Sequence, residues 1–294
     1  MPTENRPSVV DAVGAEIGLR QPARRVVCLT ATGIDILAEL ELMPVGYLAK
    51  GIADRPEFYG AAAQHIASVG SWMWPQVNQI KQLQPDLIIG WAFPHRFYKP
   101  WLDRIAPVYL MSGSGYETTL QRLRDVGTLC DRTWAAERAI AQLEHTLAAH
   151  QRLSTTQAPK TVLMMGGSTL NRWLGKLLIE TDRGTVGSLL QQLTHYPWPE
   201  PVNHRGEPGF MTYSLPQIVT INPDVIFVQT YPPAQRPLSQ QLARHPLWNQ
   251  LTAVQTHQVY EVDQFWHMGT GTRMLNLILN QLMDKVYPQN QGSK

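Results

Sequence analysis

Short, continuous apolar runs alternate with amphipathic segments along most of the chain. The apolar runs predict strands, and they are Val26–Leu29, Leu87–Ile89, Val108–Leu110, Val162–Met165 and Val225–Val228. Apolar residues fill each run without alternation, which is typical of parallel strands covered on both faces. Between them, apolar spacing predicts helices over Ile34–Leu42, from Leu120, over Val186–Leu193 and over Leu275–Val286. Strands alternating with helices predict an α/β fold with right-handed crossovers.

Two of these patterns occur twice. Arg24–Thr30 is similar to Lys160–Gly166, about 136 residues further on. Ile80–Gly90 is similar to Ile218–Val228, about 138 residues further on, and both consist of an amphipathic turn, a Pro-Asp pair and an apolar strand. Two markers with nearly the same offset predict two similar lobes with parallel sheets.

A long helix is predicted between the two repeats. Thr133–Leu153 contains neither Gly nor Pro, and its apolar residues recur every three or four positions. At 1.5 Å per residue the helix is about 30 Å long. We therefore expect it to connect the lobes and to limit hinge motion. The predicted division is a tail at 1–21, an N-terminal lobe at 22–132, the connecting helix at 133–154 and a C-terminal lobe at 155–294.

Composition excludes several classes of protein. The 294 residues carry 25 Lys+Arg against 23 Asp+Glu, and this net charge of +2 without a basic run argues against nucleic-acid binding. No apolar stretch reaches the roughly 18 residues that a membrane-spanning helix needs. Cys28 and Cys130 are too few for a disulfide framework or a four-thiolate zinc site. Cys28 lies within a predicted strand, so we expect it to be a small buried hydrophobe.

The N-terminal residues Met1–Arg20 are mixed and polar, without an apolar signal core. Two interpretations stay open. The protein is cytoplasmic, or it is exported and its signal segment has been removed.

Aromatic residues concentrate where predicted strands end. In open parallel α/β sheets, ligands bind beyond the carboxyl ends of the strands. Aromatic side chains on loops, mixed with a few cations, suit a bulky and partly apolar ligand. The alternative is that these loops merely cover one another. The predicted ligand-binding residues are Trp72, Trp74, Trp91, Phe93, Arg96, Tyr98, Arg172, Trp173, Tyr231, Trp266 and His267. Arg96 and Arg172 are expected to orient ligand oxygens, because arginine binds carboxylate-like groups in a bidentate manner.

Signatures of catalysis do not stand out in the sequence. It contains no G-x-S-x-G elbow, no P-loop and no H-E-x-x-H pair, and Thr30–Gly33 after the first strand is not a dinucleotide fingerprint. We therefore predict no catalytic residues and no cofactor. Two alternatives remain: an enzyme acting on a nucleotide or sugar, and a metal site assembled from His95, His204 and His267.

Several short segments, taken in order, resemble one family. The chain is similar over about residues 22 to 287 to substrate-binding proteins that deliver ferric siderophores, haem or cobalamin to ABC importers. The segments are Arg25-Val26-Val27, Pro44-Val45-Gly46, Val69-Gly70, Pro85–Ile89, Asn222–Phe227 and His245–Trp248. Trp101–Pro107, together with Trp266, is most similar to the ferric-hydroxamate branch.

This resemblance implies two Rossmann-like lobes joined by a rigid helix, with the ligand in a cleft between them. It implies a periplasmic location after removal of an export signal. The expected ligand is a ferric siderophore, with haem or cobalamin as alternatives. The expected partners are that small iron complex and an ABC permease. We expect a monomer that does not bind nucleic acid.

The sequence departs from the family pattern at three positions. Family members commonly carry a Glu on each lobe that docks on permease arginines, but Asn78 and Pro216 occupy the matching positions. An arginine of the hydroxamate branch aligns with Trp72. These departures leave open a binding module that has no transporter partner.

Overall fold

The computed structural model describes residues 8–48, 51–167, 176–203, 209–231, 236–263, 266 and 271–288. The described residues of Met1–Ser112, Glu117–Leu143 and Met268–Met274 form one compact unit, and those of Gly113–Tyr116, Glu144–His267 and Leu275–Lys294 form a second. None of the helices within these described ranges is both long enough and apolar enough to cross a membrane.

Twelve strands are formed by the described residues. They are β1 (Ser8–Val10), β2 (Glu16–Gly18), β3 (Val26–Cys28), β4 (Gly46–Tyr47), β5 (Ala67–Ser68), β6 (Leu87–Trp91), β7 (Val108–Met111), β8 (Val162–Gly167), β9 (Lys176–Glu180), β10 (Phe210–Ser214), β11 (Val225–Thr230) and β12 (Val259–Val262).

The helices of the described residues vary widely in length. They are α1 (Ala31–Glu39), α2 (Val77–Gln82), α3 (Ala92–His95), α4 (Lys99–Leu102), α5 (Tyr116–Leu129), α6 (Thr133–Ser154), α7 (Gly187–Leu190), α8 (Leu215–Ile221), α9 (Leu238–Leu242), α10 (Thr252–Gln255) and α11 (Thr272–Val286), with 3-10 turns at Gly60–His65 and Trp248–Gln250. The predicted long helix is α6, and the boundary between the two units falls within it.

The first unit contains a five-stranded sheet in the order β5-β4-β3-β6-β7, and every pairing in it is parallel. β3 and β7 are buried throughout and β6 is buried as far as Gly90, as their continuous apolar runs predict. A cluster that includes Val27, Ile88, Val108 and Leu110 forms the core of this unit.

The second unit contains a five-stranded sheet in the order β10-β9-β8-β11-β12. β8, β11 and β12 are parallel, as predicted, but β9 and β10 pair antiparallel. The sheet of this unit thus has the predicted parallel strands, with two antiparallel strands added at one side. Only eight residues separate β8 from β9, whereas a parallel crossover needs a dozen or more.

The repeated Pro-Asp motif has the same role in each unit. Asp86 accepts hydrogen bonds from the backbone N–H groups of Arg24 and Arg25, at 2.8 and 2.9 Å. Asp224 accepts one from the N–H of Thr161, at 2.8 Å. Each carboxylate thus joins the start of its own strand to the start of the neighbouring strand, which explains why the motif occurs twice.

The N-terminal segment is more ordered than a tail. β1 and β2 form an antiparallel hairpin, and the Asp11 carboxylate accepts hydrogen bonds from Val13 N and Ala15 N within its turn. Ala12 N donates to Leu110 O at 2.9 Å, which attaches the hairpin to β7. The sequence offered no periodicity here because each strand is only three residues long.

Candidate functional site

The loop after β5 carries two of the predicted residues, Trp72 and Trp74. It closes as a tight turn, with Ser71 N donating to Trp74 O and Trp74 N donating to Ser71 O, at 3.2 and 3.1 Å. Gly70 begins the turn at φ 103°, and a Cβ atom there would collide with Trp74 O. The turn therefore holds both indole rings outward, with Trp74 72% exposed.

Two hydrogen bonds of the His95 ring join the segment after β6 to that loop. Trp91 N donates to Nδ1 of His95 at 2.9 Å, and Nε2 of His95 lies 2.9 Å from Trp72 O. Because Nδ1 accepts a hydrogen bond, the proton belongs on Nε2, which donates to Trp72 O. The imidazole is fully buried, and burial lowers the pKa of His95 to about 4. His95 is thus neutral near pH 7 and has a structural role.

The two segments bring their aromatic side chains together. The rings of Trp72 and Phe93 meet edge to face with centroids 6.1 Å apart, and Phe93 and Phe97 do the same at 6.1 Å. A pocket of about 390 Å³ opens beside them in the first unit. It is lined by Met73, Trp74, Phe93, Pro94, Phe97, Tyr98 and Trp101.

Only part of this lining was predicted. Trp74, Phe93 and Tyr98 were expected, and Trp72 contacts Phe93 at the rim. Sequence reasoning missed Met73, Pro94, Phe97 and Trp101. Phe97 lies within the same aromatic run of the sequence, and Trp101 is exposed on α4 next to the buried Leu102.

Two arginines accompany these aromatic residues in the first unit. Arg96 is exposed, and its guanidinium carbon lies 5.0 Å from the centre of the Phe97 ring. Arg122 on α5 was not predicted. It is only 3% exposed, its guanidinium lies 4.6 Å from the Trp91 ring, and Nη2 donates to Ser112 O at 2.7 Å. Trp91 itself is half-buried, so it presents less surface than predicted.

The second unit buries one predicted residue and half-buries another. Trp266 is only 4% exposed and stacks on Phe227 of β11, with centroids 5.9 Å apart. The indole is therefore packed against its own unit rather than exposed, and its role in ligand binding stays a prediction. Tyr231 is half-buried against Gly166, where an added Cβ would collide with its hydroxyl. Burial raises the pKa of Tyr231.

Three predicted residues, Arg172, Trp173 and His267, lie outside the described residues, as does His204. Among the residues that are described, no group of three or more His, Cys, Asp or Glu side chains could hold a metal ion. Cys28 is fully buried, as predicted.

Asn78 and Pro216, the two positions where family members commonly carry a docking Glu, lie at matching places in their units. Asn78 is exposed in the first turn of α2, and Pro216 is exposed in the first turn of α8. Proline suits that position because its missing N–H would have no helical partner there. Ser214 and Gln217 form a capping box at the same helix end. Neither first turn carries an acidic residue.

Comparison with known sequences decides the family. The sequence profile of the periplasmic binding proteins matches residues 26–264, which is most of the chain. The chain belongs to the periplasmic binding protein family.

Individual relatives are distant but cover most of this periplasmic binding protein. The Fe(3+) dicitrate-binding periplasmic protein FecB of Escherichia coli is 26% identical over 249 residues, which is 83% of this chain and 78% of FecB. The Fe(3+)-citrate-binding protein YfmC of Bacillus subtilis is 23% identical over 272 residues, 90% of this chain and 81% of YfmC. Among solved structures, Staphylococcus aureus SirA, complexed with staphyloferrin B, superposes with a TM-score of 0.77 at 20% identity, over 97% of this chain and all of SirA.

Proposed function

We propose that this periplasmic binding protein binds a ferric siderophore and delivers it to an ABC importer, without catalysing a reaction. The observation that carries the proposal is the aromatic surface that follows β5 and β6 in the first unit. It lies at the carboxyl ends of parallel strands, where α/β sheets bind ligands. Family membership and relatives that bind Fe(3+) citrate complexes support the same ligand class.

The chemistry of the surface suits a bulky complex. Trp72, Trp74 and Phe93 are 41%, 72% and 55% exposed, so each has apolar area that a ligand can cover. Exposed aromatic area that stays uncovered is unfavourable, and contiguous patches of it commonly mark binding sites. The hydrogen bonds from His95 Nε2 to Trp72 O and from Tyr98 Oη to Met73 O hold the loop, which reduces the ordering cost of binding.

Arginine at the edge supplies the polar part of the proposed contact. The exposed Arg96 would donate to carboxylate, hydroxamate or catecholate oxygens of the ligand. Arg172, Trp173 and His267 complete the contact set that the sequence predicts.

Titration of tryptophan fluorescence tests the proposal. Ferric hydroxamate and ferric citrate-type siderophores should quench the protein at micromolar concentration. Trp72→Ala and Trp74→Ala should each weaken binding by about 1–3 kcal/mol, the scale of a buried side chain. Trp134→Ala is the matched control, because Trp134 is similarly exposed at 53% but lies on α6. Absence of quenching by every complex would refute the proposal.

Haem and cobalamin form the comparison arm of the same titration. Haem bound through an axial His or Tyr would shift the Soret band of hemin. His95 is a poor candidate for that ligand, because both of its ring nitrogens are hydrogen-bonded to backbone groups. A Soret shift, together with siderophore titrations that show no quenching, would identify haem rather than a ferric siderophore as the ligand.

The transporter partner requires a separate test. Asn78 and Pro216 place no charge in the first turns of α2 and α8. Complex formation with a permease would therefore rely on other contacts. Reconstituted uptake with candidate ABC permeases should show transport of the bound complex. Tight ligand binding without association with any of them would favour the second candidate, a binding module without a transporter.

A further inference from the structure

The pocket beside Trp74 is lined by hydrocarbon almost entirely. Its seven lining residues offer three side-chain donors: the indole N–H groups of Trp74 and Trp101, and Tyr98 Oη, which already donates to Met73 O at 3.0 Å. Tyr98 and Trp101 pack ring against ring at 6.5 Å, and Phe93 meets Phe97 at 6.1 Å. The volume of about 390 Å³ falls in the range of small-molecule sites.

Charged groups near the pocket have contacts of their own. The Arg96 guanidinium covers the Phe97 ring at 5.0 Å. Nζ of Lys99 lies 2.8 Å from the Asp103 carboxylate and also donates to Val108 O. Both ring nitrogens of the buried His95 imidazole are hydrogen-bonded to backbone groups, Trp91 N and Trp72 O. The lining itself carries no ionisable side chain other than the Tyr98 phenol.

An iron centre is a poor occupant of such a pocket. The oxygens that coordinate Fe(III) are strongly polar, and burying them among few hydrogen-bond donors and no cation costs several kcal/mol. A hydrocarbon chain has the opposite preference, because every methylene buried gains free energy. The lining therefore favours the hydrocarbon part of an amphiphilic ligand over its iron centre.

We propose that this pocket, lined by Met73, Trp74, Phe93, Pro94, Phe97, Tyr98 and Trp101, holds a hydrocarbon substituent of the ligand while the iron centre lies outside it. The inference rests on the proposed function for its natural ligand. It assigns that ligand to ferric complexes that bear an aliphatic or acyl chain. Affinity should then depend on chain length at constant iron chemistry.

A homologous series of ferric complexes tests this dependence. N-acyl derivatives of desferrioxamine B, from acetyl to octanoyl, keep one tris-hydroxamate iron centre while the chain grows. Their affinity should rise by about fourfold per methylene, the ratio that one buried methylene supplies, and level off when the pocket is full. Affinity independent of chain length in the wild-type protein would overturn the assignment.

Variants locate the effect in the pocket. Trp101→Ala and Phe97→Ala should each flatten the dependence on chain length. Both side chains are more than half exposed, so both variants should fold. Trp134→Ala on α6 should keep the wild-type slope. An unchanged slope in both pocket variants would place the chain elsewhere and refute the proposal.

A second probe separates the pocket from the ferric ligand. The uncharged dye N-phenyl-1-naphthylamine should fluoresce with the iron-free protein, and the signal should fall in Trp101→Ala but not in Trp134→Ala. If the acetyl complex binds but the slope is flat, the proposed function stands and the pocket assignment fails. If no ferric complex binds, the proposed function fails. In that case dye enhancement that Trp101→Ala removes would still support a hydrocarbon site, and no enhancement would refute it.

Discussion

The guanidinium carbon of Arg122 lies 4.6 Å from the centre of the Trp91 ring, and Nη2 of the same side chain donates to Ser112 O at 2.7 Å. Trp91 ends β6, and Ser112 follows the last residue of the neighbouring β7. One buried arginine on α5 thus fixes two strand ends. Burial lowers the pKa of Arg122 to about 10, so it remains charged at neutral pH.

Replacing Arg122 by Met should destabilise the protein by about 2–3 kcal/mol in urea unfolding. The change removes a desolvated cation–π contact and leaves the Ser112 carbonyl without this donor. The Arg122→Lys variant should recover only part of the loss, because an ammonium cannot stack on the ring and reach Ser112 together. The matched pair is Arg138 and Trp134, whose guanidinium carbon and ring centre lie 5.0 Å apart on an exposed face. Equal losses in Arg122→Met and Arg138→Met would contradict the assigned role.

His95 predicts a specific pH dependence of stability. In the unfolded chain the imidazole titrates with a pKa near 6.5, but in the folded protein it stays neutral down to about 4. Between these values the unfolded state binds more protons, so stability falls as the pH falls, by about 3 kcal/mol over the window. His95→Gln removes this dependence. The difference in unfolding free energy between the wild-type protein and His95→Gln should therefore shrink from pH 7 to pH 4. Parallel profiles would show that the imidazole does not stay neutral.

Asp35 should give a pH dependence of the opposite sign. Its carboxylate accepts hydrogen bonds from Arg273 N and Met274 N at the start of α11, at 3.1 and 2.8 Å. Burial, followed by the nearby Glu39, raises the pKa of Asp35 to about 7 from 3.8. The folded state then holds an extra proton between these values, so stability is lost as the pH rises through them, by about 4 kcal/mol.

Asp35→Asn checks this sign. The variant cannot ionise, so it should gain stability relative to the wild-type protein as the pH rises from 4 to 7.5. Urea unfolding at several pH values measures the difference, in which the contributions of the other titrating groups cancel. If the difference in unfolding free energy between Asp35→Asn and the wild-type protein stays constant with pH, the pKa of the Asp35 carboxyl is not raised.

The parts of the fold that could be predicted depend on strong local signals. Continuous apolar runs located β3, β6, β8 and β11, because a strand covered on both faces admits few polar residues. The Pro-Asp motif was visible as a repeat, but its hydrogen bonds to the neighbouring strand could be seen only in the structure. The antiparallel β9 was not predicted, since nothing in its composition distinguishes the direction of a short strand.

The candidate site was only partly predictable, because a sequence shows where an aromatic residue occurs but not which way its ring points. Trp74 and Trp266 both lie near strand ends, yet one is 72% exposed and the other 4%. The first lies in the tight turn that Gly70 begins, and the second stacks on Phe227. Arg122 gave no signal, because an arginine on an amphipathic helix is normally on its solvent face.

Trp266 therefore predicts a change in stability rather than in ligand affinity. Its ring stacks on Phe227, which in turn stacks on Tyr260 at 5.7 Å, so the indole completes a packed row in the second unit. Trp266→Ala should cost about 3–5 kcal/mol in unfolding free energy, the usual loss for a large aromatic residue in a core. Trp266→Phe preserves the stacking and should cost much less. Siderophore affinity of the Phe variant should stay within about twofold of the wild-type value, whereas Trp74→Ala weakens binding at normal stability. A stable Trp266→Phe protein with strongly reduced affinity would return this residue to the binding site.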